Sequence, residues 1–362
     1  MKLSSKRVLV TSGAGPGVPG IVYALRAHPL RKIEVVVGES FWQECAGLLL
    51  ADQTCKMPMA TDSDYLDKVL SICRERRIDI ILPVFSGELE TIADARSDFE
   101  KIGTQVLLPE ANAVKLANDK AAFYNFCRSH DILVPSYMLV KSTGGLVEAA
   151  HKLGYPEKVI CIKPTSSSGN RGFHIINDKY DRYQSYFEAK PDNTLCALQE
   201  MVSALNSVKG AFPDLLVMEY ISGLEYGADV LSRKGEILAM KLRRKLPPEK
   251  LGMHFRIEFA RNELMEKIVS HVVASLKVSH ITSVDLICNS EGDPYVLEVN
   301  PRPGAYIGMT CTERNILAMA IDALIGDSPL NPDVYSSCRI PRMGVRYIND
   351  FVIYSDETML SF

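Results

Sequence analysis

VDLICNSEGDPYVLEVNPRPG, residues 284–304, is the stretch of this chain that decides its fold and gathers its most informative polar residues. Two apolar runs rich in β-branched and aromatic residues, 281–288 and 295–300, flank the segment 289–294. That segment has turn chemistry from end to end, with asparagine, serine, glycine, aspartate and proline. The stretch therefore predicts a β-hairpin.

The register of this hairpin brings two carboxylates together. With a two-residue loop at 291–292, Asp285 lies directly opposite Glu298. Because strand side chains alternate between faces, Asn300 shares the face of Glu298, and Arg302 can follow it. Facing carboxylates repel unless a cation lies between them, and Mg²⁺ is the hard cation that prefers oxygen ligands. The hairpin thus predicts a magnesium site, and the alternative is a surface hairpin with solvated charges.

The opposite face of the same hairpin is apolar. Leu286, Leu297 and Val299 lie between the polar residues and are expected to enter the protein core. A hairpin with one core face is half buried, which argues against the solvated alternative.

Composition bounds the class of protein. With 362 residues, 47% of them hydrophobic, the chain can form two or three compact units with substantial cores. A formal net charge of -3 gives no basic footprint for nucleic acid or an anionic membrane. No signal peptide and no apolar run of about 18 residues is apparent, so the expected location is the cytoplasm. The 9 cysteines lack metal-ligand spacing and are expected to be reduced.

The first third of the chain predicts a doubly wound α/β domain that ends near residue 110. A short strand, a glycine-rich loop and a helix form the opening of a parallel α/β unit. The expected elements, in chain order, are a strand at 8–10, a helix at 21–26, a strand at 33–37, a helix at 65–76 and a strand at 78–82.

The glycine-rich loop after the first strand partly matches a dinucleotide-binding motif. Residues 15–20 fit the letters G-x-G-x-x-G, and Glu34 and Glu39 are available to bind a ribose. However, Pro16 and Pro19 remove amide donors that a pyrophosphate would use. We therefore favour a tight turn that could touch a substrate over nicotinamide binding.

The middle of the chain carries basic residues suited to phosphate. Lys120 follows the N-cap-like pair 118–119 inside a helix predicted over 115–130. A buried strand then ends by projecting Lys163, and the loop 165–172 that follows is rich in hydroxyls and glycines. The backbone and side chains of such a loop can wrap phosphates, although serine-glycine loops are also common connectors.

Two further segments suit a nucleotide. The apolar strand 215–221 could offer the backbone of Glu219 and Ile221 to an adenine edge, with Glu225 near the ribose hydroxyls. The strand at 237–246 presents three basic residues on one face: Lys241, Arg243 and Lys245. Such a row favours either a solvated edge or a bound anion.

In order and spacing, these segments resemble the ATP-grasp superfamily over residues 111–325, and most closely its carbamoyl-phosphate-synthase-like group. The resemblance implies an α/β and α+β architecture in which a doubly wound N-terminal domain precedes the two-subdomain ATP-grasp fold. The implied units are a pre-ATP-grasp domain at 1–110, a lid subdomain with a linking helix at 111–215, and a catalytic subdomain with a terminal extension at 216–362.

The resemblance also implies roles for individual residues. Those expected to hold ATP are Lys120, Lys163, Ser166, Ser167, Ser168, Gly169, Gly172, Glu219, Tyr220, Ile221, Glu225, Lys241 and Leu297. Those expected to bind Mg²⁺, with Mn²⁺ as the alternative ion, are Asp285, Glu298 and Asn300. Those expected to act on the reacting groups are Lys163, Arg243 and Arg302, the last by stabilising an acyl phosphate. One departure weakens assignment to peptide ligases of the D-alanine kind, because Ser283 stands where they usually carry arginine.

The implied activity is ATP-dependent ligation of a carboxylate to an amine through an acyl phosphate. The expected partners are small molecules, with amino acids or a small peptide as the family-level expectation, and neither nucleic acid nor membrane. The acceptor pocket is expected between the first domain and the grasp, with Glu88, Arg256 and the glycine loop as candidates. The tail 343–362 could complete a sheet or form the edge of a homodimer.

Two other functions stay open at this point. The first is phosphorylation of a carboxylate or bicarbonate, including carboxylation, without amide formation. The second is a nucleotide-binding module that has lost catalysis. A requirement for an amine separates the first from the ligase, and ADP binding without turnover identifies the second.

Overall fold

The computed structural model describes the chain from residue 3 to residue 361 with internal gaps. The described residues are 3–41, 45–166, 171–181, 183, 187, 194–207, 210, 212–246, 255–339, 341–346, 351–353 and 359–361. The 9 cysteines all lie in these ranges, and all are free thiols. Among the described helices, none is long and apolar enough to cross a membrane.

The N-terminal domain is a parallel sheet covered on both faces. Its strands are β1 (Lys6–Val10), β2 (Ile33–Glu39), β3 (Gln53–Lys56), β4 (Ile80–Leu82) and β5 (Gln105–Val106), in the order β3-β2-β1-β4-β5. Its helices are α1 (Val18–Arg26), α2 (Ala46–Leu49), α3 (Tyr65–Glu75), α4 (Leu89–Asp94) and α5 (Arg96–Lys101). Val8 and Val10 enter one core and Leu9 enters another, because alternate strand residues face opposite sides. The predicted doubly wound arrangement is confirmed.

The glycine-rich turn between β1 and α1 is built for close packing. A Cβ atom on Gly20 would lie 2.8 Å from the Cα of Gly308, so a larger residue would push α1 away from the chain at that point. Glu39, the acid considered for a ribose, is buried and accepts hydrogen bonds from the amides of Ala14, Ser40 and Phe41. Its carboxylate is therefore committed to the fold.

A second sheet and its helices follow the N-terminal domain. The linking helices are α6 (Ala111–Asn118) and α7 (Lys120–Ser129). The lid sheet consists of β6 (Tyr137–Val140), β7 (Ile160–Pro164), β8 (His174–Ile176), β9 (Leu195–Cys196) and β10 (Leu215–Glu219), in the order β6-β10-β7-β8-β9. Helices α8 (Thr143–Lys152) and α9 (Leu198–Asn206) belong to the same part of the chain. The boundary predicted at residue 215 falls at the start of β10, which pairs within this lid sheet.

The single helix predicted over 115–130 is wrong, because the chain breaks at Asp119. That residue adopts extended backbone, and its Oδ1 accepts hydrogen bonds from the amides of Ala121 and Ala122 at 2.9 and 3.0 Å. An aspartate that caps the next helix satisfies amides that a continuous helix would use internally. The break makes Lys120 the first residue of α7.

The third sheet forms the floor of a cleft that faces the lid sheet. Its strands are β11 (Gly223–Arg233), β12 (Glu236–Leu246), β13 (Phe255–Phe259), β14 (His280–Asn289), β15 (Pro294–Asn300) and β16 (Met343–Arg346), in the order β15-β14-β11-β12-β13-β16. Helices α10 (Glu263–Leu276), α11 (Ile307–Thr310) and α12 (Ile316–Ile325), a 3₁₀ helix at Pro332–Tyr335 and the pair β17 (Phe351–Ile353) and β18 (Met359–Ser361) complete the described elements. The tail thus adds β16 to this sheet, one of the two outcomes expected from sequence.

The predicted hairpin forms, but its loop has three residues, 290–292, instead of the predicted two, because Asn289 lies opposite Asp293. A bulge in β15 compensates for this shift. Asp285 pairs with Glu298 as predicted, whereas Leu286 pairs with Val296, so Leu297 is an extra residue in β15. The bulge reverses the face of Leu297, so this residue does not enter the core as strand alternation predicts. It lines the cleft instead, in agreement with the ATP-contacting position that the resemblance implies. Val296 and Val299 fill the core on either side of it.

The N-terminal domain and the C-terminal helix α12 are joined by a buried ionic cluster. Arg31 Nη2 lies 2.6 Å from Asp322 Oδ1, and both side chains are fully shielded from solvent. His28 Nε2 lies 3.3 Å from the other oxygen of Asp322, and the hydroxyl of Tyr335 donates to that oxygen. Arg31 also contacts Asp327, whose side chain keeps 35% of its exposure. The cluster fixes how the two domains meet.

We predict that Asp322→Ala destabilises the protein by about 3–5 kcal/mol, because it leaves the Arg31 charge buried without its enclosed partner. Asp327→Ala removes a half-exposed partner of the same arginine and should cost about 1 kcal/mol or less. Urea unfolding of both variants measures the difference. Equal losses in the two variants would contradict this account of the domain junction.

Candidate active site

A cleft of about 320 Å³ lies between the lid sheet and the third sheet. One part of its wall is apolar and another part is charged, so it can hold a molecule with an apolar body and an ionic end. Its apolar lining includes Pro135, Cys161, Phe173, Ile175, Met218, Tyr220, Ile221, Ile287 and Leu297. Its charged lining includes Lys120, Lys163, Arg171, Glu219, Glu225, Lys245, Asp285 and Glu298.

The strand end at 219–221 forms one wall of the apolar part. The Glu219 carboxylate accepts from the amide of Ser136 at 2.7 Å, and the amide of Glu219 donates to the Ser136 carbonyl at 2.9 Å. The Tyr220 amide donates to the carbonyl of Val159 at 3.3 Å. These bonds hold the segment rigidly beside the cleft, where Ile221 also lies. The wall therefore offers a planar ligand a fixed backbone edge.

The hairpin supplies the acidic floor. Asn300 Nδ2 lies 3.0 Å from Glu298 Oε1 and 3.3 Å from Asp285 Oδ2, so the three predicted metal ligands are in mutual contact. Burial raises the pKa of Asp285, while the positive charges of Lys245 and Arg243 oppose the rise. The three side chains would all present oxygens to a cation once the Asn300 amide is turned by half a rotation.

This donor set suits Mg²⁺ in particular. Within the described ranges, no group of three or more histidine, cysteine, aspartate and glutamate side chains is placed to hold a metal. Two carboxylates and one amide are too few for a closed metal cage, but they match an ion that keeps waters and takes ligand phosphates. The floor therefore fits Mg²⁺ held jointly by the protein and a phosphate-bearing ligand.

Two lysines face the floor. Lys163 Nζ donates to the hydroxyl of Tyr124 at 3.1 Å. Burial lowers the pKa of Lys163 to about 8; Glu298 opposes the decrease, and the nearby charge of Lys120 adds to it. Burial also lowers the pKa of Lys120, again opposed by Glu298. The backbone amide of Lys120 donates to the carbonyl of Thr165 at 3.1 Å, which ties α7 to the start of the lid loop.

The basic row on β12 divides into three different environments. Lys241 forms an ion pair with Glu313 and is not among the residues that line the cleft in the described chain. Arg243 is buried and bonds to Asp229 at 2.9 Å, with Asp285 at 3.9 Å. The structure therefore does not bring the predicted ATP-contacting Lys241 to the cleft, and it places Arg243 beneath the floor rather than on it.

Lys245 is the member of the row that lines the cleft. Its Nζ lies 2.7 Å from Glu225 Oε2 and 3.8 Å from Asp285 Oδ1. These two carboxylates raise the pKa of Lys245 against the opposing effect of burial. The alternation along β12 correctly predicts that Lys241, Arg243 and Lys245 share one face. Whether each side chain reaches the cleft depends on which other elements pack on that face.

A second cavity of about 780 Å³ adjoins the cleft and shares Lys120, Arg171 and Glu298 with it. Part of its wall comes from the N-terminal domain, with Phe85, Ser86, Gly87, Glu90 and Thr91. Arg302 lies at this junction: its Nε donates to Ser86 Oγ at 3.3 Å, and its Nη2 lies 3.5 Å from Asn300 Oδ1. Arg302 is not itself among the described residues that line either cavity, but it bridges Asn300 and Ser86, both of which line the second cavity.

The acceptor residues suggested by sequence have other positions. Glu88 is buried and accepts from the hydroxyls of Thr11 and Tyr65 and from the amide of Phe85, so it supports the cavity wall from behind. Arg256 lies on β13, which is next to the outermost strand of the third sheet. Neither residue is part of the described lining of the cleft or of the second cavity.

The lid loop is partly described. Ser166 lines the second cavity, and Gly172 has a φ of +74°, a conformation that favours glycine. Ser167, Ser168 and Gly169 lie outside the described residues, so their expected contacts stay predictions.

Tyr124 supports the site without lining it, because its hydroxyl contacts Lys163, and it was not predicted from the sequence. It lies four positions after Lys120 on α7, and residues at this spacing share a helix face. Lys120 was already a predicted phosphate ligand, so an aromatic residue one helical turn later could have been predicted to lie beside the same cleft.

Comparison with known proteins agrees with this geometry. The family model described as "PylC-like, N-terminal domain" matches residues 11–107, and "ATP-grasp in the biosynthetic pathway with Ter operon" matches residues 211–349. The chain contains an ATP-grasp domain. The predicted resemblance and fold class are confirmed.

Curated relatives of this chain include large chains of carbamoyl phosphate synthase. The one from Clostridium acetobutylicum is 22% identical over 277 residues, which is 73% of this chain and 24% of that protein. The one from Pseudomonas syringae pv. tomato is 25% identical over 253 residues, 66% of this chain and 21% of that protein. The chain thus spans less than a quarter of the length of these relatives.

Solved ATP-grasp structures share the fold at low identity. The ADP complex of purK, N5-carboxyaminoimidazole ribonucleotide synthetase, has a TM-score of 0.65 at 16% identity and covers 91% of this chain and 78% of its own. The L-amino acid ligase from Bacillus licheniformis has a TM-score of 0.62 at 15% identity, covering 88% and 74%. The biotin carboxylase domain of Hydrogenobacter thermophilus 2-oxoglutarate carboxylase, solved with MgADP, has a TM-score of 0.65 at 18% identity, covering 91% and 72%.

We predict that Lys163 loses its proton near pH 8, below the ordinary lysine value of about 10.4. Its charge is present at lower pH and is lost as the pH rises, so affinity for anions should fall above about pH 8. NMR titration of side-chain-labelled lysines measures this step, and Lys163→Arg assigns the resonance. A Lys163 titration above pH 10 would refute the predicted effect of burial.

Proposed function

We propose that this protein is an ATP-dependent carboxylate-amine ligase. One observation carries the proposal: the paired carboxylates Asp285 and Glu298 face Lys163 and Lys120 in one cleft, and that cleft continues into a second cavity beside Arg302. The first cavity suits a nucleotide with its metal, and the second is large enough for the molecules to be joined. ATP-grasp structures solved with ADP or MgADP support the assignment of the first.

The proposed nucleotide lies with its adenine in the apolar part of the cleft. Phe173, Met218 and Leu297 supply apolar contact for the ring, and the backbone at 219–221 supplies its polar edge. Glu225 would contact the ribose while it remains bound to Lys245. The phosphates then extend toward the two lysines and the acidic floor.

Asp285, Glu298 and Asn300 would hold Mg²⁺, with Mn²⁺ as an alternative. Bound Mg²⁺ would neutralise the charge of the β- and γ-phosphates and orient them. The chain's own contribution is to fix this floor at the junction with the second cavity. Asn300 contacts both carboxylates, and Arg302 reaches from Asn300 to the N-terminal domain.

The proposed reaction has two steps. In the first, an oxygen of the substrate carboxylate attacks the γ-phosphorus, the bond to the oxygen that bridges the β- and γ-phosphates breaks, and ADP leaves. In the second, an amine nitrogen attacks the acyl carbon, phosphate leaves with the electron pair of the broken bond, and the nitrogen loses a proton. Lys163 and Lys120 would hold the phosphoryl oxygens, and Arg302 would hold the acyl phosphate. Catalysis then depends mainly on positioning and electrostatic stabilisation.

A second function uses the same first step without an amide product. Two solved neighbours, the carboxyaminoimidazole ribonucleotide synthetase and the biotin carboxylase domain, have names that indicate carboxylation. If this second function is correct, bicarbonate supports ADP release in place of an organic carboxylate. A nucleotide-binding module without catalysis would instead bind ADP and show no turnover with any carboxylate.

We predict that Glu298→Gln lowers carboxylate-dependent ADP release by at least about a hundredfold, because one side of the metal pair loses its charge. Glu291→Gln, on the exposed turn of the same hairpin, is the matched control and should keep full activity. ADP release is measured with a panel of amino acids and other carboxylates, each with and without an amine. Full activity in Glu298→Gln, with the fold intact by circular dichroism, would sink the ligase assignment.

We predict that Lys245→Met and Lys241→Met differ in their effect on the nucleotide, although both replace a lysine on the same face of β12. Lys245 lines the cleft, so its loss should weaken MgADP binding about tenfold or more. Lys241 is paired with Glu313 elsewhere, so its loss should change binding less than about twofold. Calorimetric titration of both variants tests the contrast, which equal affinities would contradict.

A further inference from the structure

Tyr124 occupies a position between the two walls of the cleft. It lies on α7 and its side chain is completely buried. Its hydroxyl accepts a hydrogen bond from Lys163 Nζ at 3.1 Å and donates one to the carbonyl of Leu297 at 2.9 Å. A phenolic hydroxyl can make both bonds at once because it has one proton and free lone pairs.

The two partners of Tyr124 belong to different sheets. Lys163 is on β7 of the lid sheet, whereas Leu297 is the bulged residue of β15 in the third sheet. The residue after the bulge is Glu298, whose position opposite Asp285 depends on that extra residue. One hydroxyl group therefore joins the lysine on one side of the cleft to the strand that presents a carboxylate on the other.

The surroundings of Tyr124 make this connection rigid. Its ring packs edge to face on Tyr137, with ring centroids 5.1 Å apart and planes at 66°. Burial raises the pKa of Tyr124, so the hydroxyl keeps the proton that it donates to Leu297. The Lys163 ammonium group also lies 5.0 Å from the centroid of the Tyr124 ring. The ring attracts the charge without fixing its position, whereas the hydroxyl is a directional acceptor that restricts where the ammonium group can lie.

We propose that Tyr124 is a positioning residue for the ligase reaction: its hydroxyl fixes the Lys163 ammonium group relative to Glu298 across the cleft. The proposal rests on the proposed function for its catalytic consequence. It assigns Tyr124 no contact with substrate, since it acts through Lys163 and through the Leu297 bulge. The position of the Lys163 ammonium group matters because negative charge shifts between phosphoryl oxygens in the transition state. A cation that is displaced from those oxygens stabilises this charge less.

The test compares Tyr124→Phe with Tyr137→Phe. Both variants remove one hydroxyl from the same aromatic pair and keep the rings that fill the core. The Tyr137 hydroxyl donates to Asn125 Oδ1 at 2.6 Å, whereas the Tyr124 hydroxyl bonds to Lys163 and to Leu297. Neither tyrosine is among the described residues that line the cleft. The comparison therefore separates the general effect of removing a hydroxyl from this aromatic pair from the specific loss of the connection across the cleft.

We expect Tyr124→Phe to lower kcat roughly tenfold while KM for ATP changes less than about threefold, and Tyr137→Phe to leave both nearly unchanged. The split follows because Lys163 keeps its charge, so nucleotide still binds, but its position is no longer fixed in the transition state. Similar kinetic losses in the two variants, or a change confined to KM, would overturn the proposal.

Crystal structures of both nucleotide-free variants give a readout that does not depend on activity. In Tyr124→Phe, the Lys163 ammonium group should move or spread over several positions, while Tyr137→Phe should keep it in place. An unmoved Lys163 in Tyr124→Phe would overturn the positioning role. If the unaltered protein shows no turnover with any carboxylate, the proposed function fails, and the crystal structures still decide whether Tyr124 positions Lys163.

Discussion

The structure of the cleft depends on one electrostatic constraint, the pair of carboxylates that face each other on β14 and β15. Asp285 and Glu298 are held opposite one another by the strand register, and each would repel the other without positive charge nearby. The fold supplies that charge from more than one direction. Lys245 and Arg243 lie on the Asp285 side, and Lys163 interacts with Glu298 from the lid sheet. The cations that we propose to bind phosphates therefore also reduce the repulsion between Asp285 and Glu298 in the absence of a ligand.

This balance explains why the N-terminal domain matters to a site that consists mostly of residues from the other two sheets. Arg302 follows the floor strand directly, and its guanidinium group bonds to Ser86 on the loop after β4. That loop is supported by the buried carboxylate of Glu88, which accepts hydrogen bonds from the amide of Phe85, from the hydroxyl of Thr11 just after β1 and from the hydroxyl of Tyr65 on α3. The His28, Arg31 and Asp322 cluster then fixes the same domain against α12. A shift of the N-terminal domain would therefore move Arg302 relative to the floor.

The sequence predicts the parts of the site that depend on short-range periodicity. Two-residue alternation places Asp285, Glu298 and Asn300 on one side of a hairpin, and the turn composition locates its loop. It does not predict the Leu297 bulge, because a single extra residue leaves no mark in the hydrophobic pattern on such a short strand. It also does not separate Lys241 from Lys245, because both have the same parity on β12 and only tertiary packing decides which one reaches the cleft. The break at Asp119 was readable as a helix cap, yet the apolar pattern continues through it and favours one long helix.

The bulge and the break in the helix have a common effect, which is to bring Lys163 and Glu298 toward each other through Tyr124. The break at Asp119 starts α7 at Lys120, so Lys120 and Tyr124 lie one turn apart on the face toward the cleft. The bulge turns Leu297 toward the same helix, where its carbonyl accepts from Tyr124, and restores the register that pairs Glu298 with Asp285. Each feature departs from the regular geometry of its element, and each departure serves the same junction. The Leu297 bulge and the Asp119 break are therefore irregular parts of the backbone that determine where Lys163 and Glu298 lie in the cleft.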